Sequence, residues 1–307
     1  MADHILVLGA LGGVGRAVAA AFHAAGWQVS GLVRRGRAGD LPDWIWPVEA
    51  DLFDAPAVVA AVGGPVDAVF DGLNVRYDRW ADEAVPLFAA GLAIAEALGA
   101  THLFPGNVYN FGAGMPAVLT PDVPFAPTTV KGRVRVDVEA LFAAAARERG
   151  VQTIVVRAGD FFGPTAGGSW IGALVAKGAR RGVIRSPGAV DAPHAYAYLP
   201  DLARALVALA EKRAMLGPYE VFHFAGHTAS MKELAAAATR AFGRPVRVRR
   251  LPGFVFTLLG WFSPVIAAAG EMAYLWSVPH RLADDRLATI VGVLPATDLA
   301  AALAASV

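Results

Sequence analysis

The stretch HILVLGALGGVGRAVAAAFHAAGWQVSGLVRRGR, residues 4–37, decides the fold. A short apolar run, HILVLGA, ends in glycine. VGRAVAAAFHAAG follows with helical spacing and stops at Gly26. WQVSGLV then reads as a second strand. Gly9, Gly12, Gly13 and Gly15 stand at the junction of strand and helix. The first glycine permits a tight turn, the second lets the backbone approach a pyrophosphate, and the third lets the helix pack on the sheet. The helix N-terminus then faces the phosphates. Glycine spacing alone is weak evidence, but strand, glycines, helix and second strand come here in the order a dinucleotide site requires. Gly9, Leu11, Gly12, Gly13, Val14 and Gly15 are therefore expected to line the cofactor.

The end of the second strand bears on which dinucleotide. A carboxylate there would hold ribose hydroxyls and favour NAD. Here Val33 is followed by Arg34 and Arg35, with Arg37 beyond. Guanidinium forks suit a 2′-phosphate, so NADP is expected, with NAD the alternative. A merely solvated basic loop is the plainer reading of the same residues. Asp51, followed by Leu52, fits two roles: a carboxylate on the adenine amino group, or the N-cap of the helix that follows.

Strand and helix go on alternating through WIWPVEADL, AVVAAV, VDAVFDGL, a helix from about Trp80 to Gly99, THLFPGN, a helix ending at Gly150, and VQTIVVRAG. This pitch predicts right-handed βαβ units, hence an α/β fold built on a doubly wound parallel sheet. Beyond Asp160 the regularity loosens. Residues 1–160 read as a dinucleotide-binding domain to which later segments return, and 161–307 as a mainly substrate-side domain. The latter holds helices at Ile171–Arg181 and around YLPDLARALVALAEK, the strand YEVFHFAG, the helix SMKELAAAATRAFG and the strand PVRVRRLP.

Composition sets the class. Hydrophobic residues are 56% and charged residues 17%, which supports a large core and an exterior partly covered in an oligomer. With 27 basic and 26 acidic residues, the net charge of +1 argues against nucleic-acid binding. The absence of cysteine excludes disulfides, thiolate metal sites and a cysteine nucleophile. No histidine–carboxylate spacing points to a metal, and no Gly-x-Ser-x-Gly elbow supports a hydrolase. The N-terminus lacks a signal peptide, so a cytoplasmic location is expected. The uncharged run at 253–270 approaches the length of a membrane crossing, but Ser263 and Pro264 interrupt it. A buried or interfacial helix pair is expected there instead of a span.

With these features the chain resembles the extended short-chain dehydrogenase/reductases of the epimerase/dehydratase type. The glycine spacing carries the resemblance, together with EADL (49–52), NVYNFG (107–112), RAGDFFGP (157–164) and AYLPDLARAL (197–206). It implies a Rossmann domain, a small C-terminal α/β substrate domain, and a homodimer joined through the helices after strands four and five. Two departures stand out. The family's serine or threonine, four residues before the tyrosine of its VYG motif, is Pro105. Its catalytic tyrosine, four residues before its lysine, is Pro127 when Lys131 is taken as that lysine. Lys131 then either positions the cofactor ribose or serves as acid or base itself, with Arg133 and Arg135 supplying nearby positive charge. KGRVRVDVEA (131–140) also opens a helix with cations, against its dipole, which calls for a compensating anion.

Candidate catalytic residues are Lys131, Tyr109 and Asn107; the last two leave the fifth strand at its C-terminal end. Tyr109 has a packing role as its alternative, and Thr128 or Thr129 a capping role. His194 touches substrate or bonds a loop, and Asp160 binds substrate or forms a turn. The C-terminal third is rich in large apolar groups: Phe254, Phe256, Leu258, Trp261, Phe262, Tyr274, Leu275 and Trp276. It favours a partly apolar carbonyl compound as small-molecule substrate. Arg180, Arg181 and Arg185 keep a nucleotide-sugar clamp open. The expected function is NADP-dependent hydride transfer, with a cofactor-binding sensor or a nucleotide-sugar epimerase as alternatives.

Overall fold

The computed structural model describes residues 2–166, 175, 177–251, 261 and 263–306. The first strand, β1 (His4–Leu8), is buried along its whole length. Its side chains alternate between two cores. Ile5 and Val7 join Phe22, Phe70, Val156 and Phe222 on one face. Leu6 and Leu8 join Val69, Phe88, Phe104 and Phe142 on the other. A strand covered on both faces needs apolar residues throughout, hence the continuous run instead of an alternating one.

Helix α1 (Gly13–Ala24), strand β2 (Gln28–Val33), strand β3 (Trp46–Glu49), helix α2 (Ala55–Val62), strand β4 (Ala68–Asp71) and helix α3 (Trp80–Leu98) follow in order. Then come β5 (Thr101–Gly106), the short β6 (Val118–Leu119), helix α4 (Val130–Arg149) and β7 (Thr153–Ala158). The second half contains β8 (Asp160–Phe162), the helical turn α5 (Lys177–Ala179), β9 (Val183–Ser186), β10 (His194–Tyr198), α6 (Leu199–Glu211), β11 (Tyr219–Phe224), β12 (His227–Ala229) and α7 (Met231–Phe242). It ends with β13 (Arg247–Arg250), α8 (Pro264–Gly270), β14 (Arg281–Leu282), α9 (Asp285–Val291) and α10 (Leu299–Ala305).

Seven strands form one parallel sheet in the order β11-β7-β5-β4-β1-β2-β3. Helices α1 and α6 pack together over one face, and α2, α3 and α4 over the other. YEVFHFAG, expected in the substrate region, supplies β11 and closes the edge of this sheet against β7. The remaining strands make small separate sheets, β12-β10-β8, β13-β9 and β14-β6, on the substrate side. Of the helix expected at Ile171–Arg181, residues 171–174 and 176 lie outside the described residues, and Lys177–Ala179 form the turn α5. In the apolar 253–270 stretch, 253–260 and 262 also lie outside them, Phe254, Phe256, Leu258 and Phe262 included. Its described end is α8, capped by Ser263, whose Oγ accepts from Ile266 N. Trp261 is 82% exposed, and the rest of the buried or interfacial helix pair expected there lies outside the described residues. Among the described residues no helix is long and apolar enough to cross a membrane.

A buried polar frame joins the sheet to α4 and the loop after β5. Arg157 on β7 pairs with Glu139 of α4 at 2.5 Å, and Glu139 accepts from Asn110 Nδ2 at 2.9 Å. His223 of β11 lies 3.2 Å from Arg157 Nη1, and its Nδ1–H donates to the Leu119 carbonyl at 2.9 Å. Burial pushes His223 down to about 4, and Arg157 pushes the same way. His280, buried and with no partner for Nε2 among the described residues, is also pushed down to about 4, first by burial and then by His194. Unfolded histidine titrates near 6.5. Between about 4 and 6.5 the unfolded chain therefore binds more protons than the folded one, and stability rises with pH through that window. Thermal unfolding should occur several degrees lower at pH 5 than at pH 7. His280→Asn should shrink that difference by roughly half, and an unchanged difference would remove His280 from the account.

Candidate functional site

In an open parallel sheet, ligands bind outside the strand C-termini, at the crevice where connections diverge to opposite faces. Here that crevice lies between β1 and β4. The glycine turn forms its floor. Gly9 ends β1 at φ +75°, a conformation L side chains resist, and a Cβ there would meet the Gly72 carbonyl oxygen at 2.6 Å. Gly12 N–H donates back to the Gly9 carbonyl at 2.8 Å and starts α1. At Gly15 a Cβ would lie 2.2 Å from that same carbonyl oxygen. Helix and turn thus touch backbone to backbone, and α1 starts with no side-chain cap among the described residues. Thr165 reaches over from beyond β8 and donates to the Gly13 carbonyl at 2.7 Å.

On the β2–β3 side, Arg34 and Arg35 line a depression with Glu49, Asp51 and Asp54. Both arginines are exposed. Glu49, which opens EADL, shapes their loop: its Oε1 accepts from Gly36 N at 2.9 Å and Ala38 N at 3.2 Å. The two roles open to Asp51 separate. Asp54 caps α2, accepting from Ala57 N at 3.0 Å, while Asp51 accepts from Phe53 N at 3.0 Å and stays exposed in the depression. Leu52 packs partly against the core.

On the β4–β5 side the crevice deepens into a cleft. Val14, Leu73, Asn74, Pro105, Asn107, Tyr109, Arg135 and Asp160 are in its wall. Asn107 Oδ1 accepts from Tyr109 N at 3.0 Å and so fixes the loop that carries the tyrosine. The Tyr109 hydroxyl lies 2.7 Å from that of Tyr77, a residue the sequence reading missed. Burial raises both phenols above their ordinary value. Tyr77, Tyr109 and Asp160 also border a neighbouring chamber walled by Pro187, Ala269, Met272, Ala273, Leu275 and Trp276.

His194 is bonded on both sides. Its Nδ1–H donates to the Leu275 carbonyl at 3.0 Å, and Nε2 lies 3.0 Å from Asp160 Oδ2. With Nδ1 donating, the Nε2–Asp160 bond needs one further proton, on the imidazole or the carboxyl. The Trp276 ring stacks on the imidazole at 4.8 Å. His194 is thereby fixed as the orienting partner of Asp160, which opens β8 and borders the cleft instead of merely making a turn.

Lys131 stands in the first turn of α4, almost wholly buried. Its Nζ lies 2.6 Å from Glu271 Oε2 and 4.9 Å from the centre of the Tyr77 ring. Glu271 Oε1 accepts from Val130 N–H, so one carboxylate both neutralises the lysine and occupies the helix N-terminus. This is the anion that a cationic helix start calls for. Arg133 faces solvent and Arg135 faces the cleft, so the charge against Lys131 is a carboxylate, not the two arginines. Thr129 caps α4, accepting from Gly132 N at 3.0 Å, and Thr128 accepts from Ala113 N at 3.0 Å. No group of three or more metal-ligating side chains gathers among the described residues.

The comparisons with known proteins agree with this geometry. A sequence model of the NAD dependent epimerase/dehydratase family matches residues 5–225. The chain belongs to the NAD-dependent epimerase/dehydratase family. A crystal structure from Burkholderia cenocepacia J2315 superposes at TM-score 0.78 and 22% identity, covering 99% of this chain and 96% of that one. UDP-glucose 4-epimerase from Brucella ovis, solved with NAD, gives 0.75 and 17%, covering 99% and 97%. MoeE5 in complex with UDP-glucose and NAD gives 0.75 and 17%, with the same coverage. At these identities the likeness establishes the fold. No curated protein sequence matches the chain.

A glycine cradle that a single Cβ would fill, beside a helix N-terminus with no side-chain cap among the described residues, fits a nicotinamide dinucleotide. Gly15→Ala should therefore drive the turn apart. Calorimetric titration with NAD(H) and NADP(H) should show at least tenfold weaker binding than wild type for whichever form binds best. Unchanged affinity would place the pyrophosphate elsewhere.

Proposed function

We propose that the protein is an NADP-dependent oxidoreductase that transfers hydride to or from a partly apolar carbonyl compound. The observation that carries this reading is the Tyr77–Tyr109 phenol pair, set beside Lys131 at the mouth of a chamber lined by Ala269, Met272, Leu275 and Trp276. When bound, the cofactor supplies or accepts the hydride. The chain's own groups handle orientation and the proton.

Both phenols stay protonated at neutral pH, since burial raises them. In the pair one hydroxyl donates to the other, so one O–H remains for a substrate oxygen. An acid that holds its proton until an alkoxide develops is suited to a carbonyl reduction. The Lys131 ammonium lies close to the Tyr77 ring and attenuates the negative charge left when that phenol gives up its proton. Asp160, held by His194, borders the same space and orients polar groups of the substrate. The family's hydroxyl partner is Pro105 here, so the second tyrosine takes over the hydrogen-bonding task.

Arg34 and Arg35 at the end of β2 support the choice of NADP, and Glu49 holds their loop by its backbone. The apolar side chains of Met272, Leu275 and Trp276 beside the phenol pair support a partly apolar substrate, in place of the UDP-glucose bound by MoeE5.

A panel of apolar ketones, quinones and enones with NADPH, followed by loss of reduced-cofactor absorbance, tests the reading. NADPH should outperform NADH by about tenfold or more, and Arg34→Ala with Arg35→Ala should erase that preference. Tyr109→Phe and Lys131→Ala should each lower kcat/KM by about 100-fold. Tight cofactor binding without turnover on any compound would favour a sensor instead. Preference for NADH with UDP-sugar turnover would favour an epimerase.

A further inference from the structure

Helix α4 carries two inward cations, Lys131 and Arg135. Residues four apart lie one above the other on a helix face. Their surroundings differ. Lys131 has its carboxylate, Glu271. Arg135 is only 8% exposed, and neither its Nε nor its Nη1 has a hydrogen-bond partner among the described residues. Trp80, Phe88 and Phe104 surround the guanidinium, with ring centres 4.8, 5.2 and 5.1 Å from Cζ. Aromatic faces attract a cation but accept none of its in-plane N–H bonds. Burial lowers the pKa of Arg135, yet a guanidinium keeps its charge in a protein. A buried cation with unmet donors is costly, and such a group calls for a partner from outside the chain.

The position of Arg135 indicates which partner. It stands in the cleft wall with Asn74 beyond β4 and with Pro105 and Asn107 at the end of β5. Arg34 and Arg35 lie on the opposite side of the glycine turn, beyond β2. A dinucleotide with its pyrophosphate at the α1 N-terminus and its adenosine near Arg34 must lay its nicotinamide riboside towards β4 and β5. Lys131 is not in that wall: it points at Tyr77 and Glu271.

We propose that Arg135, not Lys131, is the cation of α4 that grips the cofactor, donating from its guanidinium to the oxygens of the nicotinamide ribose. The proposal rests on the assignment of a nicotinamide dinucleotide to the crevice. It also moves the family's tyrosine–lysine spacing by one helical turn. Lys131 then occupies the tyrosine's place on the substrate side, and Arg135 the lysine's place on the cofactor side. Pro127 ceases to be a lost catalytic position and becomes part of the loop before the helix.

Calorimetric titration of the full chain with NADPH, and separately with adenosine 2′,5′-bisphosphate, which lacks the nicotinamide riboside, tests this. Arg135→Met should weaken NADPH at least tenfold and leave the bisphosphate within about twofold of wild type. Arg135→Lys should recover part of the loss. Lys131→Met should leave both affinities within about twofold. NADPH affinity unchanged in Arg135→Met overturns the proposal. So does an equal loss for both ligands, which marks a general structural role, and so does a Lys131→Met loss matching that of Arg135→Met. If Arg135→Met does not fold, the Arg135→Lys and Lys131→Met comparison decides by the same criteria. Wild-type protein binding neither NADPH nor NADH overturns the dinucleotide assignment as well, whereas normal wild-type binding with an insensitive Arg135 overturns only the present assignment.

Discussion

Everything at the site follows from one backbone contact: Gly15 at the start of α1 lies against the Gly9 carbonyl at the end of β1. This contact lets α1 leave β1 at once and lie across the sheet. The next strand, β2, then falls on one side of β1 and β4 on the other, and a crevice opens between them. Because all seven strands run the same way, every chain segment leaving a strand C-terminus arrives at this one edge. Arg34, Asp51, Asn74, Asn107 and Asp160 are brought together there, although their sequence separations are large. The buried frame of Glu139, Arg157, Asn110 and His223 serves the same end from beneath, holding α4 and the β5 loop in register with β7 and β11.

A second constraint acts from the far end of the chain. Helix α8 packs on the turn that carries Tyr77, and the residue just after α8 is Glu271. Its carboxylate meets Val130 N–H and Lys131 Nζ together. Without it α4 would begin with a buried cation added to the positive end of its own dipole. Two residues further, the segment Ala273–Trp276 supplies the Leu275 carbonyl and the Trp276 ring that fix His194. The side of the cleft around Tyr77, Lys131 and His194 therefore rests on contacts made by the last part of the chain, whereas the glycine turn is built within the first residues, with Thr165 reaching over it.

This asymmetry also explains what was legible in the sequence. The parallel sheet and the glycine turn are written in local patterns: apolar runs, helical periods, and glycines at a strand–helix junction. Asn107, Tyr109 and Asp160 could be placed because strand ends mark the binding edge. Tyr77 lies in a 3₁₀ turn with no periodic signature, and its significance appears only with the Tyr109 hydroxyl beside it. Glu271 stands 140 residues from Lys131, and no local pattern encodes that partnership. Asp51 and Asp54 both sit before α2, and only the geometry shows which one caps it. A return of later segments to the main sheet was legible, but not that YEVFHFAG is the strand that returns, because a strand at a sheet edge carries no marker of which sheet it extends.

Helix α4 shows how charge burial separates structural from functional roles. Removing one partner of a buried ion pair strands the other, so a chain that buries a charge for stability normally buries its counter-charge with it. Glu139 obeys this through Arg157, and Lys131 through Glu271. Both pairs are satisfied by the protein alone and lock α4 in place. Arg135, on the same helix and also buried, has three ring faces against its guanidinium and no ion-pair partner among the described residues, although Glu139 and Asp71 act on it at longer range. A hydrophobic residue of similar length would fill that space among Trp80, Phe88 and Phe104 without the desolvation penalty. Folding thus gives no reason to keep a guanidinium there, while a ligand entering the cleft with acceptor oxygens does.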